Sequence, residues 1–172
     1  MVAPSAPYAL DVELQGLEPL LRKMKNPRLL RAPIKTVLNK SVLIGEREAK
    51  LNAPKDTGRL ARSLAVEVDD LTARVFFQNE QLYFQVQEVG RRAGAPPPPS
   101  SALLPWMRRK GIDPSLAFVI ARAIGRRGFK RGNKYGPNGG RFFMKRGAEA
   151  IQREMPAMMR DLMAGVKREW LR

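Results

Sequence analysis

Hydrophobic and polar positions follow two rhythms along this chain, and the change between them predicts its elements. From Asp11 the apolar residues Leu14, Leu17, Leu20 and Leu21 recur at three- and four-residue spacing, which predicts a first helix despite Gly16 and Pro19. Pro27 and Pro33 punctuate the next stretch. Ile34, Val37, Leu38, Val42 and Ala49 then mark one face of a second helix ending near Leu51, with Lys35, Lys40, Arg47 and Lys50 on its outer face. Glu46 and Lys50 stand at the favourable i, i+4 spacing.

At Ala53-Pro54-Lys55-Asp56-Thr57-Gly58 the helix has to stop. Pro54 pushes Ala53 out of the helical region, Asp56 is placed to accept from backbone N–H groups, and Gly58 permits positive φ. The period then becomes two. Leu64, Val66 and Val68 alternate with Ala65, Glu67 and Asp69. Ala73, Val75 and Phe77 alternate with Arg74, Phe76 and Gln78, and Leu82, Phe84 and Val86 with Tyr83, Gln85 and Gln87. With turns at Asp69-Asp70 and Asn79-Glu80, this predicts a three-stranded antiparallel meander with one buried face and an edge that a neighbouring subunit could pair.

Residues 91–101 hold four consecutive prolines, Pro96 to Pro99, and read as a stiff polyproline arm. A short helix near Ala102–Arg109 follows, ended by Gly111. Asp113 as cap and Pro114 at the first helical position open another, Ser115–Arg126. Leu116, Phe118, Val119, Ile120, Ala123 and Ile124 are expected on its buried face, with Arg122 and Arg126 on the other side. The pair superficially resembles a helix-turn-helix, yet few polar base-reading side chains are present. Residues 127–140 contain five glycines and predict a flexible basic loop without a phosphate-loop pattern. From Phe142 the period returns to 3.6: Ala148, Ile151, Met155, Met158, Met159, Leu162, Met163 and Val166 predict a final helix, kinked or split at Pro156. The whole order predicts an α+β fold. It comprises N-terminal helices, a three- to four-stranded antiparallel sheet, an inserted helical pair at 102–126 and a C-terminal helix packed on the sheet. Residues 1–172 form one domain behind a flexible leader, 1–8.

Charge sharpens this picture. The 172 residues carry 32 Lys and Arg against 16 Asp and Glu, a formal net charge of +16. Residues 91–146 hold fourteen of the bases and a single acid, Asp113, whereas residues 53–90 carry four bases against six acids. The excess therefore belongs to one third of the chain. Arg91, Arg92, Arg108, Arg109, Lys110, Arg126, Arg127, Lys130, Arg131 and Lys134 are the candidate contacts for DNA phosphates or for acidic protein partners. Phe129 and Tyr135 among them allow stacking on single strands.

Candidate chemistry is thin. The sequence has no Cys and no His, which removes thiolate nucleophiles, thiolate zinc sites and the commonest general base. A carboxylate site from Asp56, Glu67, Asp69 and Glu88 is conceivable for a divalent metal, but no spacing requires it. The expectation is no enzyme, no cofactor and no metal. The N-terminus lacks a basic and an apolar signal region, and no apolar run approaches a membrane span.

Three ordered motifs carry a resemblance. Ala53-Pro54-Lys55-Asp56-Thr57-Gly58-Arg59-Leu60-Ala61-Arg62-Ser63-Leu64 resembles the A-P-x-D-T-G-x-L-x-x-S-[IL] signature of the neck and tail-completion proteins of long-tailed bacteriophages. Tyr83 to Gly90 is similar to that family's Y-A-x-x-x-E-x-G segment, with Tyr83, Glu88 and Gly90 in place and Phe84 where a small residue is usual. Gly139 to Ala148 resembles its P-x-x-F-[ML]-x-x-A element, with the proline displaced to Pro137. The resemblance implies a helix, an antiparallel sheet and a closing helix, some members carrying an extra helical segment. It further implies a homo-oligomer, a ring at the head–tail junction of the virion, assembled in the host bacterial cytoplasm. Its partners would be other neck, connector and tail-tube proteins, with contact to packaged DNA and none to a membrane. On it, Pro54, Asp56, Thr57, Gly58, Leu60 and Ser63 set the turn into the sheet, and Tyr83, Glu88 and Gly90 shape its far end. The alternative is a small nucleic-acid-binding protein that uses residues 91–146 on phosphates.

Overall fold

The computed structural model describes residues 9–15, 28–78, 81–129 and 138–170. The chain is α+β and divides into two compact units, residues 1–81 with 143–172, and residues 82–142.

The first unit is built on a three-stranded antiparallel sheet of order β1-β3-β2: β1 Leu10–Glu13, β2 Leu64–Val68 and β3 Thr72–Phe77. Its register places Leu64 opposite Phe77, Val66 opposite Val75, and Leu10 opposite Val75 from the other side. Period-two alternation then assigns the faces. Ala73, Val75 and Phe77 are buried, while Asp11, Glu13, Glu67 and Thr72 are exposed on the opposite face. Helix α1 (Arg28–Asn52) packs on the sheet, and α6 (Phe143–Trp170) packs along α1. The C-terminal helix reaches the sheet at its start, where the Phe143 ring meets Phe77 edge-to-face at 5.8 Å. Gly45 and Gly147 set how closely the two helices run. A Cβ on Gly147 would lie 2.7 Å from the Gly45 carbonyl oxygen, and one on Gly45 would lie 2.7 Å from Ile151 Cδ1. Ile34, Leu38 and Val42 of α1 and Ile151, Met158 and Leu162 of α6 fill the buried core of this unit. Each such side chain contributes about 1.5–3 kcal/mol by leaving water.

Three sequence expectations are corrected here. The stretch from Asp11 is a strand and not a helix, because Leu10 and Val12 alternate with Asp11 and Glu13 and pair with β3. Of the leucines behind the helical reading, Leu17, Leu20 and Leu21 lie outside the described residues, as does the leader 1–8. The third strand, Leu82–Val86, is instead helix α3 (Gln81–Val89). Five alternating positions fit either period. Burial of Phe84, Gln87 and Glu88 follows the three- and four-residue spacing, and Gly90, at φ 81°, ends the helix with its N–H on the Val86 carbonyl. The sheet therefore has three strands, with β1 where the meander was to end. Helix α1 also starts six residues before Ile34 and runs through Pro33, while α6 runs through Pro156 without splitting.

The second unit holds α3 beyond Gln81, α4 (Ser100–Arg109), a one-turn 3-10 helix Pro114–Leu116 and α5 (Ala117–Arg127). α4 and α5 pack against each other around the buried Met107 and Ala121. Asp113 caps the turn as its sequence demands, its Oδ1 accepting from the Ser115 N–H at 2.9 Å, with Pro114 next. The buried face of α5 is corrected. It consists of Ala117, Ala121 and Gly125 at four-residue spacing, whereas Leu116, Phe118 and Val119 are exposed. At Gly125 backbone comes too close for a larger residue: a Cβ there would sit 3.1 Å from the Ala95 oxygen and from Pro97 Cα.

Candidate functional site

The first motif is a turn built from backbone chemistry. Helix α1 ends with the Ala53 N–H on the Ala49 carbonyl, and Ala53 and Pro54 are buried. Gly58 takes the left-handed conformation, φ 67°, and opens the single-turn helix α2 (Arg59–Arg62). Thr57 works from both ends: its Oγ1 accepts from the Arg59 N–H at 3.4 Å and its carbonyl accepts from the Arg62 guanidinium at 3.0 Å. Leu60 is buried, and the Ser63 hydroxyl donates to its carbonyl at 2.9 Å. The Ser63 carbonyl in turn accepts from the Gln78 N–H, which ties the turn to the end of β3. Asp56 and Thr57 are exposed, so the motif joins an anchored base to a solvent-facing tip.

The second and third motifs meet through their backbones. Gly90 and Gly139 form an isolated antiparallel bridge, and the Arg91 N–H donates to the Asn138 carbonyl at 2.9 Å. The Arg141 N–H donates to the Gln87 carbonyl and the Phe142 N–H to the Glu88 carbonyl. No side chain fits this crossing. A Cβ on Gly90 would be 2.0 Å from the Asn138 oxygen, and one on Gly140 would be 2.4 Å from the Glu88 oxygen. Glu88 is buried beside it; Tyr83 lies on α3, and its side chain is outside the described residues.

The same glycine chemistry ties down the proline segment. The Gly94 N–H donates to the Gly125 carbonyl, the Phe129 N–H to the Arg91 carbonyl, and the Arg91 guanidinium to the Pro96 carbonyl. Residues 91–97 are thus a solvent-exposed strap bonded to α5 and its C-terminal extension, where the sequence suggested a projecting arm. Gly128 and Gly139 belong to the glycine-rich stretch 127–140, which in sequence reads as flexibility because its backbone partners are not visible there, and Gly125 sits inside α5 with no sequence signal of its own.

The basic residues gather in the second unit. Arg92, Arg108, Arg109, Lys110, Arg126 and Arg127 are exposed and Arg91 is half-buried. Lys130, Arg131 and Lys134 lie outside the described residues. Between residues 82 and 142 the sequence offers only two acids. Glu88 is buried, and Asp113 is engaged by its cap, the Ser115 N–H and then the Ser115 hydroxyl holding its carboxyl below the ordinary aspartate value. The unit therefore presents a positive surface that attracts phosphates or carboxylates over about a Debye length. Among the described residues no three of His, Cys, Asp and Glu gather into a group able to hold a metal ion, so Asp56, Glu67, Asp69 and Glu88 do not form one site. Nor, among them, is any helix long and apolar enough to cross a membrane.

No family model, curated protein or solved structure matches the chain.

Proposed function

We propose that this chain is a structural virion subunit of a long-tailed phage, a neck or tail-completion protein that assembles as a ring around the DNA path and joins tail to head. The observation that carries the reading is the backbone pairing of Gly90 with Gly139. The second and third motifs lie some fifty residues apart in sequence, yet the chain enters and leaves the inserted unit side by side. An insertion closed in this way leaves the order helix, sheet, closing helix intact, which is the plan the motif resemblance implies. The turn at Pro54, Asp56, Thr57 and Gly58 supports the same reading, since Pro54 is buried, Thr57 bonds to Arg59 and Arg62, and Gly58 takes the left-handed backbone the turn needs. On this reading the protein performs no chemistry and takes no cofactor, resides in the virion and is assembled in the host cytoplasm. Its partners are further copies and other neck, connector and tail-tube proteins.

A second reading is favoured by one observation, the exposed arginines of the inserted unit: a dedicated nucleic-acid-binding protein. Disruption of the gene in the phage or prophage that encodes it separates the two. The first reading expects DNA-filled heads and finished tails lying unjoined in electron micrographs of the lysate. Joined particles, together with tight duplex binding by the purified chain and a steep salt slope, would favour the second.

A further inference from the structure

The exposed side of α5 and the outer side of the sheet have complementary chemistry. Phe118 is 68% exposed, Val119 61% and Leu116 47%, an unusual concentration of large apolar side chains within one turn of chain. Arg122 and Arg126 follow Phe118 at four-residue spacing, so the apolar cluster runs into a guanidinium stripe on the same helix face. On the outer face of the sheet, Asp11, Glu13 and Glu67 surround one base, Arg74, whose Nε lies 3.1 Å from Asp11 Oδ1, and the half-buried Phe76, opposite Ala65, follows two positions along the same face.

We infer that Leu116 of the 3-10 turn, with Phe118, Val119, Arg122 and Arg126 of α5, forms a face that docks on the outer, acidic face of the β-sheet of a second copy of this chain. Apolar anchors with flanking arginines fit a protein surface that offers both carboxylates and a hydrophobic floor. A phosphate backbone offers only the charge and leaves Leu116 and Val119 in water. Segments of the chain outside the described residues are a poorer match in charge: residues 16–27 carry three bases against Glu18, and residues 130–137 carry three bases and no acid. Two different patches meeting make a heterologous contact, which propagates from copy to copy and closes into a ring when the rotation allows. The choice of a second copy rests on the reading of the chain as an assembling virion subunit.

Light scattering on size-fractionated full-length protein tests the contact. The wild type is expected to form a concentration-dependent oligomer. Arg122→Glu with Arg126→Glu should weaken self-association about a hundredfold, and Phe118→Ser with Val119→Ser should do the same. These positions are exposed, so melting curves should be unchanged. Glu13→Lys with Glu67→Lys should also weaken assembly, and combining it with the arginine reversal should restore the oligomer, a rescue that misfolding does not produce. A wild type that stays monomeric at its highest soluble concentration overturns the inference. So does an oligomer indifferent to all of these changes, a charge swap without rescue, or serine variants that lose duplex DNA binding while self-association is retained. Failure of the swap alongside unjoined heads and tails in the gene disruption rejects this contact alone. A successful swap alongside normally joined particles rejects the functional reading and leaves the contact standing.

Discussion

Gly90 and Gly58 both adopt positive φ, yet they are not equivalent residues. At Gly58 a Cβ meets only the far end of the long Arg62 side chain, 3.0 Å away, so Gly58→Ala costs chiefly the left-handed backbone, about 1–2 kcal/mol. At Gly90 a Cβ would fall 2.0 Å from a carbonyl oxygen that itself accepts the Arg91 N–H. Gly90→Ala should therefore cost more than Gly58→Ala, about 3 kcal/mol or above, and urea unfolding of the two variants checks the order. Asp113 supplies a pH-dependent prediction. Its folded value is lowered, so the stability its cap contributes is present above the ordinary aspartate range and is lost as pH falls through the folded value. A carboxyl-carbon NMR titration should place its midpoint below that of an unstructured aspartate, and Asp113→Asn should keep the cap without that pH dependence. These three residues show what was legible at this scale. Asp113-Pro114 and Gly58 announce their roles by type and position, whereas nothing in the sequence around Gly90 points to its bridge with Gly139.

The elements divide according to how many turns of pattern each one offers. Helices α1 and α6 repeat their apolar spacing over many turns, and both form around the predicted apolar faces, although α1 starts earlier and neither Pro33 nor Pro156 ends its helix. Residues 82–86 offered one short alternation, and the helix-forming glutamines with Gly90 behind them decided for a helix. The α5 face failed for a different reason. Large side chains are the usual mark of a core, but here backbone at residues 95–97 comes close to Gly125, the buried face is made of Ala117, Ala121 and Gly125, and the larger side chains stay in solvent. The seam between α1 and α6 carries the corresponding prediction. Gly147→Val places its Cβ against the Gly45 carbonyl, a backbone atom that can move only with its helix. The substitution should destabilise the first unit by about 1–3 kcal/mol, whereas the same change at Gly165, where a Cβ meets nothing within 4 Å, should be neutral or slightly stabilising because valine is the better helix former. Thermal unfolding of the two variants compares them directly.

At the scale of the whole molecule, an uneven charge distribution and a closed insertion belong together. The positive excess sits in the unit that enters and leaves the chain at a glycine-lined bridge, while the sheet of the other unit exposes acids on its outer face. On the proposed reading the chain meets copies of itself and anionic partners, and those contacts should weaken as salt rises. The motif resemblance and the pairing of Gly90 with Gly139 support the proposed head–tail function. The measurement that tests it most directly is complementation in extract. Purified full-length chain is added to a lysate of the phage whose gene has been disrupted, and infectious titre is counted. The account predicts a low starting titre, with separate full heads and tails, that rises by orders of magnitude on addition of the chain as joined particles appear. A disrupted lysate that already contains joined, infectious particles, or separate heads and tails that the added chain leaves unjoined, would contradict it.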